Sequence, residues 1–216
     1  MKIIASSSTL RFTNIKYLND PSEGDEINSI IPQVCDELSA SDPPNAGVYA
    51  IIKNVFSTNG SCIREQKLKQ SFEKIMGGDH FVSCFSTVSD YLPLWTYYSL
   101  KSGCCIEYSP KDFSNTKYQV RLEPIIYDDE TKKRIVRDII KMIADMRYVK
   151  DNADEVRRIV VYVIDRLKPM FKSQDFSFEK EVRAIICDVD KKDINYRTKE
   201  GYIIPYCDMS ITKTEY

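Results

Sequence analysis

The stretch Phe176-Ser177-Phe178-Glu179-Lys180-Glu181-Val182-Arg183-Ala184-Ile185-Ile186 concentrates the chemistry of this chain and governs how its fold is read. A strand repeats its side-chain direction every second residue. From Phe178 onward that puts Phe178, Lys180, Val182 and Ala184 on one face and Glu179, Glu181, Arg183 and Ile185 on the other. Two carboxylates would then lie roughly 7 Å apart, with a guanidinium the same step further on. Such a row is either a solvated, self-paired surface or the floor of a polar cleft. Spacing alone favours the surface row, with Arg183 and Lys180 as counter-charges.

Outward from this strand, the pattern is one of short strands with helices between them. Alternation predicts strands over 10–18, 81–87, 103–108 and 120–127, and a last hairpin from 194–198 and 201–206, followed by an edge or frayed tail from Met209. Asn19-Asp20-Pro21-Ser22-Glu23 reads as a helix start, with Asp20 as N-cap, Pro21 at the first helical position and Glu23 closing a capping box. That reading outweighs a catalytic one for Asp20. The helix it opens, 21–39, places Ile27, Ile30, Ile31, Val34 and Leu38 on one stripe. Residues 48–56 are apolar and fit either a strand or a helix, with a helix favoured; 63–76 read as a short helix, and 90–100, crowded with aromatics, as a short helix or turn.

Residues 130–171 change texture. Ile135, Ile139, Met142, Ile143 and Met146 keep helical spacing, as do Val156, Ile159, Val160, Val163, Ile164 and Leu167, with Asp151-Asn152-Ala153-Asp154 as the turn and cap between them. The expectation is a helical hairpin inserted between strands of a single domain, 1–216, with Met142 and Met146 in its core. An order of this kind, lacking regular βαβ alternation, implies an α+β fold: a mixed or antiparallel sheet with flanking helices.

Composition narrows the function classes. The chain has 216 residues, a formal charge of −1, and 43% hydrophobic and 29% charged residues, so no global field draws it to nucleic acid or to an anionic membrane. No apolar run reaches the length of a membrane span, and the N-terminus lacks the apolar stretch of a signal peptide; a cytoplasmic protein is expected. Seven cysteines, none in a CxxC, with His80 the only histidine, argue against a zinc site and for buried reduced thiols. Cys84 and Cys104-Cys105 have no evident base, and His80 reads as a loop residue. Neither GxGxxG nor GxxxxGK[ST] occurs, and no GxSxG, which disfavours phosphate-cradling loops and serine hydrolysis.

Two constellations remain. Glu179 and Glu181, if held close, would raise one another's pKa unless Arg183 or a ligand cation offset them, and paired acids serve glycosyl-transfer chemistry. Ser86-Thr87 ends a strand beside Tyr91, Trp95, Tyr97 and Tyr98, where a planar ligand could stack; the alternative is that Trp95 and at least one tyrosine belong to the core.

Several separated motifs together resemble an uncharacterised bacterial family, domain of unknown function 2971. They are Leu10-Arg11-Phe12-Thr13-Asn14 with Asn19-Asp20-Pro21-Ser22-Glu23, Ser83-Cys84-Phe85-Ser86, Leu94-Trp95-Thr96-Tyr97-Tyr98, Gly103 through Tyr108, Tyr127, Phe178-Glu179-Lys180-Glu181-Val182-Arg183 and Ile204-Pro205-Tyr206. Their order, with a late Glu-x-Glu strand, is also similar, more distantly, to NAD-dependent ADP-ribosyltransferases, closest to the DNA-modifying toxins of that fold. That likeness implies Glu181 as catalytic acid with Glu179 as its partner. It further implies NAD as co-substrate, held by Arg11, Ser86, Thr87, Trp95, Tyr98 and Arg183, with no metal. It also implies a nucleic-acid or protein acceptor and a place in toxin or anti-phage biology. Family members begin with an additional strand before the Leu-Arg-Phe-Thr-Asn segment, and this chain, starting at Met1, is expected to lack that strand. The alternatives are a catalytically inactive module of the same fold that binds a nucleotide or a partner, and a hydrolase of another glycosidic or phosphate bond.

Overall fold

The computed structural model describes residues 9–18, 26–57, 79–99, 103–147 and 152–211. The expected cap at Asp20–Glu23, the helix over 63–76 and the first eight residues lie outside that set. The chain divides into two compact units: residues 1–21, 79–125 and 175–216 form one, and residues 22–78 and 126–174 the other.

The first unit is built on a six-stranded sheet: β1 (Thr9–Asn14), β2 (Phe81–Ser86), β3 (Arg121–Pro124), β4 (Glu181–Ile186), β5 (Asn195–Lys199) and β6 (Tyr202–Ser210), in the order β3-β4-β2-β1-β6-β5. Every ladder is antiparallel, so the α+β expectation holds and the sheet is antiparallel rather than mixed. A short helix, α1 (Leu92–Tyr98), follows β2. Register sorts the two faces. Phe12, Phe81, Ala184, Ile186, Cys207 and Met209 share one face and are buried together, with Leu10, Phe85 and Leu122 packed at their margin. Val82, Cys84, Ser86, Glu181, Arg183 and Ile185 share the other. The β5–β6 hairpin closes through Glu200 and Gly201, both at positive φ (52° and 85°), the backbone that a two-residue turn between right-twisted strands demands.

The second unit holds α2 (Glu26–Ser41), α3 (Ala46–Phe56), α4 (Asp129–Asp145) and α5 (Ala153–Leu167). Ile27, Ile30, Ile31, Val34 and Leu38 are all buried, as their spacing requires, against Val48, Tyr49 and Ile52 of α3, Ile140 of α4 and Val160 of α5. The α4 and α5 pair matches the expected hairpin, and each is N-capped by side chains of the sort the sequence offers: Asp128 accepts from the Thr131 amide and Asn152 from that of Glu155.

Four details differ from expectation. Residues 103–108 form no strand; the chain there runs irregularly into a 3-10 turn at Pro110–Phe113. The stripe of α4 is rotated by one residue, burying Val136, Ile140 and Ile143 and extending to Lys132, so Met142 is exposed. Lys132 is tolerated inside because Glu26 and Asp129 meet its ammonium at 3.0 and 3.1 Å. Met209 and Ile211, expected to fray, are buried in the sheet core. Finally, Cys84, Cys104 and Cys105 are exposed, so among the described residues only Cys35 and Cys207 are the buried thiols that composition suggested.

Candidate functional site

The largest correction concerns the stretch from Phe176. β4 begins at Glu181, not at Phe178. Gln174–Glu179 is a 3-10 helix, and Lys180 sits at φ 48°, a left-handed backbone that no strand accommodates. Glu179 and Glu181 therefore do not share a strand face. The alternation holds from Glu181 onward, with Glu181, Arg183 and Ile185 on one side.

Two hydroxyls hold the break in place. Ser86 lies directly across the ladder from Glu181. Its Oγ donates to the Glu179 carbonyl at 2.7 Å and accepts the Val88 amide at 3.3 Å. Thr87 reaches the Lys180 carbonyl twice, from its amide at 3.0 Å and its hydroxyl at 3.3 Å. The Ser-Thr pair at the end of β2 thus fixes the turn that carries Glu179.

Side-chain contacts anchor both carboxylates. Glu181 and Arg183 are almost fully buried, at 5% and 0% exposure, and Arg183 Nε donates to Glu181 Oε1 at 2.6 Å, with Nη2 at 3.4 Å from Oε2. Taking two charges out of water is costly, and this fork-like contact is what makes their burial tolerable. Glu179, 7% exposed, accepts a 2.6 Å hydrogen bond from the phenol of Tyr98. The preceding Tyr97 stacks on Phe178 with ring centroids 5.3 Å apart. Two successive tyrosines of α1 therefore clasp the 3-10 turn, one by its ring and one by its hydroxyl. Both remain well exposed on their outer sides.

The surface around this cluster is polar and open. On the face of Glu181 and Arg183, Cys84 and Ser86 are exposed, and Glu123 of β3 lies opposite Arg183 in register. Arg11 of β1 also belongs to this face, but its Nε and Nη2 are each 2.8 Å from a carboxylate oxygen of Asp208 and its guanidinium covers the ring of Tyr206 at 3.9 Å. The hydrogen bond to Asp208 outweighs partial burial and holds the guanidinium above its ordinary pKa.

Of the residues singled out in the sequence, the structure brings together Glu179, Glu181, Arg183, Ser86, Thr87 and Tyr98. Arg11 and Trp95 engage carboxylates outside that set, Asp208 and Asp90. The indole N–H of Trp95 donates to Asp90 at 2.8 Å, and no residue of α1 is buried, so neither Trp95 nor a neighbouring tyrosine is the core residue that was one of the two readings. The sequence offers Tyr97 and Phe178 only as members of an aromatic cluster and of a motif; their stacking, and the left-handed backbone of Lys180, have no signal in it. Among the described residues no cluster of three or more His, Cys, Asp or Glu could hold a metal ion, and no helix is long and apolar enough to cross a membrane.

A buried acid–arginine pair and a second acid under a tyrosine, at one end of an antiparallel sheet, define the class of protein: an α+β domain with a polar end-of-strand site. Residues 94–184 match the model of a family described as a protein of unknown function (DUF2971), the family that the spaced motifs indicated. The match takes in most of α1, β3, the 3-10 turn and the charged part of β4, and so most of the cluster. No curated protein and no solved structure matches the chain.

Proposed function

We propose that this chain is an ADP-ribosyltransferase-like protein that takes NAD as co-substrate at the Glu179–Tyr98–Glu181 cluster. The observation that carries the reading is the register pair Ser86↔Glu181, which sets a strand-end hydroxyl beside a buried carboxylate, with a second carboxylate turned in alongside by the break at Lys180. The donors fit the sugar part of such a ligand, since carboxylates accept from ribose hydroxyls and a phenol on an exposed helix both donates and accepts. Bound NAD supplies a glycosidic bond with nicotinamide as leaving group. Glu181, oriented by Arg183, contributes negative charge beside an electron-poor sugar, the service that paired acids give in glycosyl transfer. Glu179 and Tyr98 orient a hydroxyl, and the exposed rings of Tyr97 and Tyr98 offer a surface for a planar base.

Two contacts favour a second reading, an inactive module of the same fold that binds a nucleotide. The Arg183 guanidinium neutralises Glu181 directly, and Arg11, the cation assigned to hold NAD, is engaged by Asp208. Thermal-shift titration with NAD and measurement of nicotinamide release separate the two. The enzyme requires NAD stabilisation together with release that falls at least about a hundredfold in Glu181→Gln and less in Tyr98→Phe. Stabilisation without release selects the binding module. Indifference to NAD and to other nucleotides eliminates both.

A further inference from the structure

We propose that Cys187 is a nucleophilic thiol activated by His80, forming a covalent-modification site for small soft electrophiles that is separate from the carboxylate cluster. The pair arises from the β2–β4 ladder. Its last matched residues are Phe81↔Ile186, both fully buried, and one step outward on each strand stand His80 and Cys187. The Nδ1 of His80 lies 3.1 Å from the sulfur of Cys187. The imidazole is almost wholly buried, at 4% exposure, and its backbone is fixed by the Ile15 amide donating to the His80 carbonyl at 2.9 Å. The thiol itself is partly exposed. A base held rigid within hydrogen-bond reach of a reachable sulfur is the arrangement that nucleophilic cysteines use. The chain's single histidine is thus placed on one of its cysteines, and not on Cys84, the nearer in sequence. Ser86↔Glu181 lies at the other end of the same ladder, six residues from Cys187 along β4, or about 20 Å in an extended strand.

The step balances simply. The Cys187 proton passes to His80 Nδ1 as the sulfur attacks, a sulfur–carbon bond forms, and the leaving group departs with the electron pair of the bond it loses. The charged residues adjoining the pair in sequence are Asp79, whose carboxylate meets Lys16 at 3.7 Å, and Asp188.

Iodoacetamide, a small neutral probe, tests the assignment on the full chain, with the site of alkylation read by peptide mapping. Exposed Cys104 and Cys105 serve as internal references. At pH 7, Cys187 is expected to react at least tenfold faster than either, despite its lower exposure. An ordinary thiol, with a pKa of about 8.5, loses roughly 75-fold in rate between pH 8 and pH 6. Cys187 is expected to lose less than tenfold. His80→Gln removes the acceptor and slows Cys187 at least tenfold while leaving Cys104 and Cys105 unchanged. If Cys187 in the unmodified protein reacts no faster than Cys104 and Cys105, and with their pH dependence, the contact is a neutral S–H···N hydrogen bond and the proposal is wrong, whether or not His80→Gln folds.

Discussion

Replacing Arg183 by methionine is the sharpest test of how the acidic end of β4 is held. The guanidinium and the Glu181 carboxylate have essentially no exposed side-chain surface and lie 2.6 Å apart at closest approach. With charge centres about 4 Å apart and an effective dielectric constant near 20, their gross attraction is about 4 kcal/mol. Desolvation of both ions offsets much of it, so the intact pair adds little net stability. Removal of one member is a different matter, because the other stays buried without its counter-charge. Arg183→Met should therefore cost about 3–5 kcal/mol, and Glu181→Gln a smaller amount of the same sign. The double variant should be more stable than the sum of the two losses predicts, by about 1–3 kcal/mol. Urea unfolding followed by fluorescence of Trp95, the only tryptophan and part of the sheet unit, reports the transition where the pair resides. If Arg183→Met costs less than about 1 kcal/mol, or if the two losses add to within about 0.5 kcal/mol, the pair is not the buried, mutually dependent unit described above.

Four further outcomes are expected. Lys180→Gly should match or exceed the parent in stability, because a side chain at φ 48° costs about 1–2 kcal/mol, whereas Lys180→Val should lose at least that much; denaturant midpoints decide it. Gly103→Ala would set a Cβ 2.6 Å from Cβ and 2.9 Å from Cα of Ser99, so a loss of about 1–3 kcal/mol is expected, seen in the Trp95 transition. Hydrogen bonds from Lys117 and then Tyr118 hold the Asp193 carboxyl below its usual range, and those from Thr131 do the same for Asp128. Folded pKa values below the unfolded value of about 3.9 mean stability that is present above that pH and lost as pH falls through the lower folded values, so Asp193→Asn should flatten part of the acid arm of a stability–pH curve. Burial pushes the Cys35 thiol up to about 12 and raises that of Cys207, so neither should be alkylated at pH 8 until denaturant is added, as mass mapping would show.

The helical unit was the most legible part of the chain. Ile27, Ile30, Ile31, Val34 and Leu38 announced a buried stripe because a 3.6-residue period leaves few alternatives, and all five are buried. Legibility failed where the backbone departs from a regular period. Cys104, Cys105 and Ile106 read as a strand, yet a strand needs a neighbour, and no ladder reaches residues 103–108. At α4 the rotation of the stripe by one residue turned on Lys132, which a hydropathy pattern places in solvent and which Glu26 and Asp129 draw inside. The cluster was half legible: Glu179, Glu181, Arg183, Ser86 and Tyr98 were identified by type and position, but the contacts that define their roles were not. Tyr98 and Glu179 are 81 residues apart, and His80 and Cys187 are 107 apart. No local pattern encodes a partner at that distance.

The break at Lys180 explains why two acids spaced as Glu179 and Glu181 can both be buried. Had the strand run on from Phe178, the carboxylates would have stood roughly 7 Å apart on one face, competing for a single guanidinium, and one would have been driven to take up a proton. One left-handed residue, Lys180, takes Glu179 off that face. It turns Glu179 out of the ladder, where Ser86 and Thr87 tie down the backbone on either side of the break and Tyr98 supplies a neutral donor. Glu181 stays in the ladder with Arg183 Nε 2.6 Å from its carboxylate. The consequence is a division of labour. Glu181 is charge-paired in the sheet, while Glu179 accepts from a phenol carried by an exposed helix, a donor that a ligand hydroxyl can replace. Ligand binding should therefore act first on the Tyr98–Glu179 contact and only then on the Glu181–Arg183 pair. In titrations with NAD, Tyr98→Phe should weaken affinity more than it lowers stability, and Arg183→Met should do the reverse.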